Sequence, residues 1–116
     1  MAAIKSYTDL EQSKKLATIL PLESADMLFQ LGEDKYADSI RVPLTKKHWE
    51  QMMPDIKPCW SLAALLSILR GTNISTPDLL NKIRYSCWNA YDIVYADNPV
   101  DACYEMILKL HELKLL

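Results

Sequence analysis

The sequence predicts an α+β fold in which a small antiparallel sheet, made of one or two hairpins, packs against about three helices. Three observations predict it. Capping residues and prolines bracket helix-like segments near both ends and in the middle of the chain. Two intervening stretches alternate apolar residues around polar turns, as hairpins do. No repeat, low-complexity tract or long linker divides the 116 residues, so a single domain over residues 1–116 is expected.

The first helix is predicted over residues 9–20. The letters TDLE, which begin at Thr8, match a capping box with Thr8 at the N-cap and Glu11 reaching back to it. Apolar residues then recur near helical spacing, and Pro21 stops the segment.

A first hairpin is predicted between residues 24 and 44. Apolar residues alternate on both sides of the polar letters GEDK, with Met27, Phe29 and Leu31 before them and Ile40, Val42 and Leu44 after them. The letters ESADMLFQL also suit a helical turn, which remains the alternative there. Residues 45–58 have no clean period and are predicted as a connection or a short helix that ends at Pro54.

A buried helix is predicted over residues 59–70. Pro58 suits its first turn, where a missing N–H is tolerated, and Gly71 suits its C-terminal cap. The segment is apolar on nearly every side, which predicts burial on several faces. A short helix is predicted next in the letters TPDLL, capped by Thr76.

The second hairpin is predicted over residues 83–95, because aromatic and β-branched residues alternate on both sides of Asn89. The final helix follows, with Asn98 as its cap and Pro99 in its first turn. Its apolar stripe comprises Val100, Cys103, Ile107, Leu110 and Leu113.

Cys59 is the candidate nucleophile. A thiol at a helix N-terminus can have a lowered pKa, and papain-like enzymes place Cys-Trp at the start of a buried helix. A thiol hydrolase also needs a base and a group that orients it. The two histidines are His48, in the irregular letters KKHWE, and His111, in the last turn of the final helix. We therefore interpret Cys59 as a core residue, predict no enzyme, and keep a small Cys-dependent hydrolase as the third hypothesis.

Cofactor and metal sites are not predicted. The two glycines are too few for phosphate-binding loops. A metal site would have to gather Cys59, Cys87, Cys103 and a histidine from four separate elements, whereas structural zinc sites use close pairs. The dense carboxylates are interpreted as a solvated hairpin and turn, in preference to an acid–base pair; they are Glu23, Asp26, Glu33, Asp34 and Asp38.

The three cysteines are an odd number and lack a C-x-x-C pair, which favours free thiols in the cytoplasm. The N-terminal letters lack the apolar stretch of a signal peptide, and no apolar run is long enough to cross a bilayer. A cytoplasmic protein without a membrane partner is expected.

Residues 61–83 carry the alternative hypothesis of a nucleic-acid-binding module, since an apolar helix, a glycine turn and a second helix resemble a helix-turn-helix. Asn81, Lys82 and Arg84 would offer polar contacts. The formal charge of −2 and the pI near 5.6 argue against a nucleic-acid partner.

Four aromatic residues crowd the second hairpin: Tyr85, Trp88, Tyr91 and Tyr95. Because successive strand residues point to opposite faces, they cannot all face one core, and some aromatic surface is expected to be exposed. Ordinary sheet packing is the competing interpretation. We take these four residues as a possible interaction surface for another protein or a second copy of the chain.

Three stretches of the chain resemble a family of small proteins from gut anaerobic bacteria and their prophages. They are YTDLEQSKKLATILPLESADM (7–27), PCWSLAALLSIL (58–69) and DNPVDACYEMILKLHELKLL (97–116). The resemblance covers nearly half of the chain. It implies a bacterial or prophage origin and an intracellular setting, and it assigns no activity, cofactor or functional residue. Together with the residues above, it leads us to predict a non-enzymatic protein–protein interaction module.

Overall fold

The computed structural model describes residues 5–30, 37–42, 44–53, 55–69, 72–75, 85–89 and 92–116. Within these residues it contains four α-helices and two three-stranded antiparallel sheets, which confirms the α+β class. The chain forms two compact units, a first unit of Tyr7–Ala64 and a second unit of Leu65–Leu116 with Met1–Ser6. The single domain over residues 1–116 stays a prediction.

The elements follow in chain order. The first unit contains α1 (Leu10–Ala17), a 3-10 turn (Leu22–Ser24), β1 (Met27–Gln30), β2 (Ala37–Ser39), α2 (Lys46–Met52) and β3 (Ile56–Cys59). Helix α3 (Leu62–Ile68) begins in the first unit and continues into the second. The second unit then contains β4 (Asn73–Ser75), β5 (Tyr85–Trp88), β6 (Ile93–Ala96) and α4 (Pro99–Glu112).

Helix α1 confirms the first predicted helix but starts one residue later and ends three residues earlier than the predicted range of 9–20. Its N-cap is Asp9, whose carboxylate accepts the Gln12 N–H at 2.8 Å, while the Gln12 side chain accepts the Asp9 N–H at 3.2 Å. The prediction of Thr8 as the cap is wrong. The Thr8 hydroxyl is instead buried, where it accepts the Trp60 N–H at 3.2 Å.

A hairpin between residues 24 and 44 is confirmed, since β1 pairs antiparallel with β2. The predicted position of its second strand is wrong, because β2 covers Ala37–Ser39 and the alternation indicated a strand over 40–44. Strand β1 begins at Met27, so the chain beyond Ser39 has little partner strand, and the hydrogen bond from Ile40 N–H to the Asp26 carbonyl extends the pairing by one residue. Strand β3 completes the sheet order β2-β1-β3.

Helix α2 confirms the short-helix interpretation of residues 45–58. The helix prediction for 59–70, in contrast, is wrong at its start. Pro58 and Cys59 belong to strand β3, and proline is tolerated there because β3 is an edge strand of the sheet.

Helix α3 starts only after Ser61, whose hydroxyl accepts the Ala64 N–H at 3.1 Å. The expected burial on several sides is also wrong. Leu65 is buried, whereas the adjacent Leu66 is 39 % exposed.

The second hairpin is confirmed by β5 and β6, in the sheet order β4-β5-β6. Strand β4 was not predicted, because its three residues are too few to show alternation. The predicted helix in TPDLL and the Gly71 cap lie outside the described residues.

Helix α4 confirms the final prediction. Asn98 Oδ1 accepts the Asp101 N–H at 2.8 Å and Pro99 occupies the first turn. Four residues of the predicted apolar stripe are buried, but Leu113 follows the last helical residue and is exposed. Among the described residues, no helix combines the length and apolar character needed to span a membrane.

Candidate functional site: an exposed sheet face and two sets of buried thiols

The β5–β6 hairpin has an inner and an outer face. Cys87 lies opposite Val94, and both are buried on the inner face, where the hairpin packs against α4. Trp88 lies opposite Ile93, and Ser86 lies opposite Tyr95. Because side chains alternate along a strand, these last four residues share the other side of the sheet, which we call the outer face.

The outer face exposes large apolar side chains. Trp88 is 42 % exposed, Ile93 46 % and Tyr95 42 %. Ser86, between them, is buried. Isolated exposed hydrophobic residues are normal on a protein surface, but a cluster on one sheet face is typical of a contact surface.

The structure separates the four residues that the sequence singled out. Trp88 and Tyr95 lie on the outer face, whereas Tyr85 lies opposite Ala96 on the inner face and is half-buried. Tyr91 lies outside the described residues. Sequence reasoning did not select Ile93, although its alternation with Tyr95 placed both on one face.

The end of this hairpin is fixed by paired hydrogen bonds. The Asn89 N–H donates to the Asp92 carbonyl at 3.0 Å, and the Asp92 N–H donates to Asn89 Oδ1 at 3.2 Å. These bonds hold β5 and β6 in register. In the sheet of the described residues, β6 is an edge strand, and none of its residues carries a charge.

Cys59 is placed as a core residue. It is fully buried and belongs to the end of β3, whereas α3 begins only at Leu62. Burial raises the pKa of the Cys59 thiol, because the interior disfavours the thiolate. Its Sγ donates to the Thr8 carbonyl at 3.4 Å and contacts the Thr8 hydroxyl at 3.6 Å. A buried, protonated thiol is the unreactive form.

The two histidines have other surroundings. His48 is exposed in the first turn of α2, where its Nδ1 lies 3.1 Å from the Thr45 hydroxyl and closes the helix cap. His111 is exposed in the last turn of α4. The geometry around Cys59 therefore favours the core interpretation over the hydrolase hypothesis.

Asp26 contacts a segment that is distant in the sequence. It accepts the Ser61 N–H at 2.8 Å and also the Ser61 hydroxyl. The carboxylate thus joins the residue before β1 to the start of α3. Glu23 and Asp38 are exposed, and Glu33 and Asp34 lie outside the described residues.

Cys87 and Cys103 are two further thiols, both fully buried in the second unit. A side-chain hydrogen bond with Cys103 lowers the pKa of Cys87, against the opposing effect of burial. The same bond, together with burial and the charge of an ionised Cys87, raises the pKa of Cys103. All three cysteines are free thiols.

Two other kinds of site considered from the sequence, a metal site and a helix-turn-helix, can be placed only partly. In the described part of the chain, no three His, Cys, Asp or Glu side chains group as metal ligands. Residues 76–84, which include the second half of the helix-turn-helix hypothesis with Lys82 and Arg84, lie outside the described residues.

Comparisons with protein-family models, curated proteins and solved structures gave no match to this chain. The resemblance to small bacterial and prophage proteins therefore stays an expectation.

Proposed function

We propose that the protein is a non-enzymatic interaction module of bacterial or prophage origin, which acts in the cytoplasm and binds another protein or itself through the outer face. The observation that carries the proposal is the exposure of Trp88, Ile93 and Tyr95 on one side of the β5–β6 hairpin. Large side chains at over two-fifths exposure leave apolar area in water, and a partner that covers it would be stabilised by the hydrophobic effect.

The chemistry of the outer face suits protein recognition. Tryptophan and tyrosine offer large contact areas with few rotatable bonds and are enriched where proteins bind each other. The paired turn bonds of Asn89 and Asp92 keep the hairpin rigid, which limits the entropy lost on binding.

Strand β6 favours a second copy of the chain as the partner. An uncharged edge strand is a template for pairing with another strand, because its outward backbone groups can extend the sheet. Two copies of β6 can pair antiparallel about a two-fold axis, the commonest symmetry of homo-oligomers. The outer faces would then form one continuous apolar surface.

Sedimentation equilibrium over a wide concentration range tests this proposal. The wild type is expected to dimerise, and Tyr95→Lys is expected to weaken dimerisation by at least tenfold, since the lysines of the two copies would repel each other where the β6 strands pair. The matched control is Leu113→Lys, which places the same charge on an exposed apolar residue after α4 and is expected to dimerise as the wild type does.

Circular dichroism confirms that each variant is folded. A wild type that stays monomeric at every concentration contradicts self-binding.

Affinity capture from a bacterial lysate then compares the same three proteins as baits. If Tyr95→Lys retains every partner of the wild type and of Leu113→Lys, the outer face is not the binding surface.

A further inference from the structure

The inner face of β5 brings two cysteines from distant parts of the second unit into contact. Cys87 is on β5 and Cys103 is on the buried stripe of α4, and the strand packs against the helix. A neighbouring contact fixes the alignment of the two elements, since Asn89 Nδ2 lies 3.5 Å from Met106 Sδ.

The alignment places the two thiols opposite each other. Strand β6 ends at Ala96, opposite Tyr85, and α4 begins soon after it at Pro99, so α4 runs along β5 from its Tyr85 end toward Asn89. Cys87 precedes Asn89 on the inner face of β5 and Cys103 precedes Met106 by about one turn of α4, so the two cysteines lie on facing surfaces of the two elements. The hydrogen bond between the two thiols agrees with this placement.

We propose that Cys87 and Cys103 form a redox-active dithiol, which a peroxide converts to a disulfide between β5 and α4. Both residues are free thiols in the structure, so it shows the reduced form. The proposal concerns the inner face and does not depend on the partner proposed for the outer face.

The reaction has two steps. The Cys87 thiolate attacks one oxygen of hydrogen peroxide, the O–O bond breaks, and the hydroxide that leaves is protonated to water. Cys87 is then a sulfenic acid. The Cys103 sulfur attacks the Cys87 sulfur, the S–O bond breaks, and the second hydroxide takes the Cys103 proton to form water. In sum, two thiols are oxidised to one disulfide and one peroxide is reduced to two waters.

The thiols have the properties that these steps need. Cys87 is the thiol whose pKa the neighbour lowers, which makes it the attacking group, while Cys103 holds the proton that the second step releases. Both sulfurs are fully buried, so the oxidant reaches them when the second unit opens locally. Oxidation is therefore expected to be slow in the native protein and faster in mild denaturant.

The disulfide would have a measurable effect on stability. It would close a loop between residues 87 and 103, and a loop of this length is expected to raise the folding equilibrium constant roughly 100-fold. Trp88 is adjacent to Cys87 on the same strand, so the link would also hold the strand that carries the outer face.

Cys59 supplies an internal control. It is in the first unit, and the hydrogen bonds at its sulfur go to Thr8. The variant Cys59→Ser therefore keeps the proposed pair and removes the third thiol. The variants Cys87→Ala and Cys103→Ala each remove one member of the pair without burying a new polar group.

The test treats the full-length protein with hydrogen peroxide, quenches it, unfolds it and alkylates the remaining thiols with iodoacetamide. Mass spectrometry is expected to find one alkylated cysteine, Cys59, and a peptide that links Cys87 to Cys103. Cys59→Ser is expected to form the link at the wild-type rate and to unfold at a higher urea concentration once oxidised.

Three results would overturn the proposal. The first is a peroxide-treated wild type that still alkylates at all three cysteines. The second is over-oxidation of Cys87 without a link to Cys103, and the third is a disulfide that includes Cys59. The wild-type measurement needs no variant, so it decides the question even if Cys87→Ala or Cys103→Ala fails to fold.

Discussion

Thr8 shows how one buried hydroxyl can organise its surroundings. Its Oγ1 accepts the Trp60 N–H at 3.2 Å and lies 2.8 Å from the Ser13 hydroxyl. Thr8, Ser13 and Trp60 are all buried. Since a buried polar group must find a partner in the protein, Thr8 fixes the start of α1 against the end of β3.

Replacing the Thr8 hydroxyl is expected to destabilise the protein. Thr8→Val keeps the shape of the side chain but leaves the Trp60 N–H without this acceptor and the Ser13 hydroxyl without this partner, which costs about 1–3 kcal/mol. Urea denaturation measures the change in the free energy of unfolding. The matched control is Thr18→Val, on an exposed threonine at the end of α1, with an expected change within about 0.5 kcal/mol. Equal effects at both sites would contradict the role of Thr8.

The raised pKa of Cys59 predicts a loss of stability at alkaline pH. The unfolded chain releases this proton near the ordinary value of 9.0, whereas the folded protein holds it to higher pH. Below pH 9.0 the contribution of the buried neutral thiol is present in full. Above it, ionisation favours the unfolded chain, and stability falls until the pH reaches the folded-state pKa.

Urea midpoints measured between about pH 8 and about pH 10 test this linkage. Lysine and tyrosine titrations are common to the wild type and Cys59→Ala, so the difference between the two proteins isolates the thiol. The wild type is expected to lose stability more steeply. The same slope in both proteins would show that Cys59 ionises freely in the folded state.

At the scale of elements, α4 depends on its cap. Asn98 accepts the Asp101 N–H and donates from Nδ2 to the Asp101 carboxylate, both at 2.8 Å. Asn98→Ala is expected to lower the free energy of unfolding by about 1 kcal/mol, because the first turn loses its acceptor. Asn98→Ser, which keeps a capping oxygen, is expected to retain most of the stability. A thermal or urea unfolding series would detect the difference, and equal losses in both variants would exclude capping as the cause.

Local sequence patterns predicted the elements whose signals are independent of tertiary structure. Helix α4 has its cap, its proline and its stripe within the helix itself, and the β5–β6 hairpin has its alternation. The prediction for the segment of β3 was wrong because its local sequence suits both a helix and a strand. Pro58 suits the first turn of a helix as well as an edge strand, and only pairing with β1 decides between them.

For the candidate sites, too, the sequence predicted what depends on one segment alone and missed what depends on tertiary contacts. Alternation predicted that aromatic surface would be exposed, but the choice of face depended on the position of α4, which places Tyr85 inside and Trp88 outside. The contact of Cys87 with Cys103 joins residues from two elements, and no local pattern in either segment indicates the other. The N-cap of α1 is Asp9 and not Thr8, because the Thr8 hydroxyl accepts a tertiary hydrogen bond from the Trp60 N–H.

At the scale of the whole molecule, the division between the two units falls inside α3, between Ala64 and Leu65. Each unit has about half of the chain and, alone, would bury a smaller fraction of its surface than one domain of 116 residues does. We therefore expect one cooperative unfolding transition, as for a single domain.

Hydrogen exchange with mass spectrometry, in rising urea, measures peptides from each unit separately. Peptides from β1 and from α4 are expected to lose protection at one urea concentration. Two separate midpoints would show that the chain contains two independent domains.

The central claim is that the outer face of the β5–β6 hairpin is a binding surface, and that its partner is a second copy of the chain. The most direct measurement is a series of 1H–15N NMR spectra of the wild type at increasing protein concentration. The account predicts shifts or broadening concentrated at the Trp88 indole and along Ile93–Ala96. Spectra that do not change with concentration, or changes confined to other elements, would contradict it.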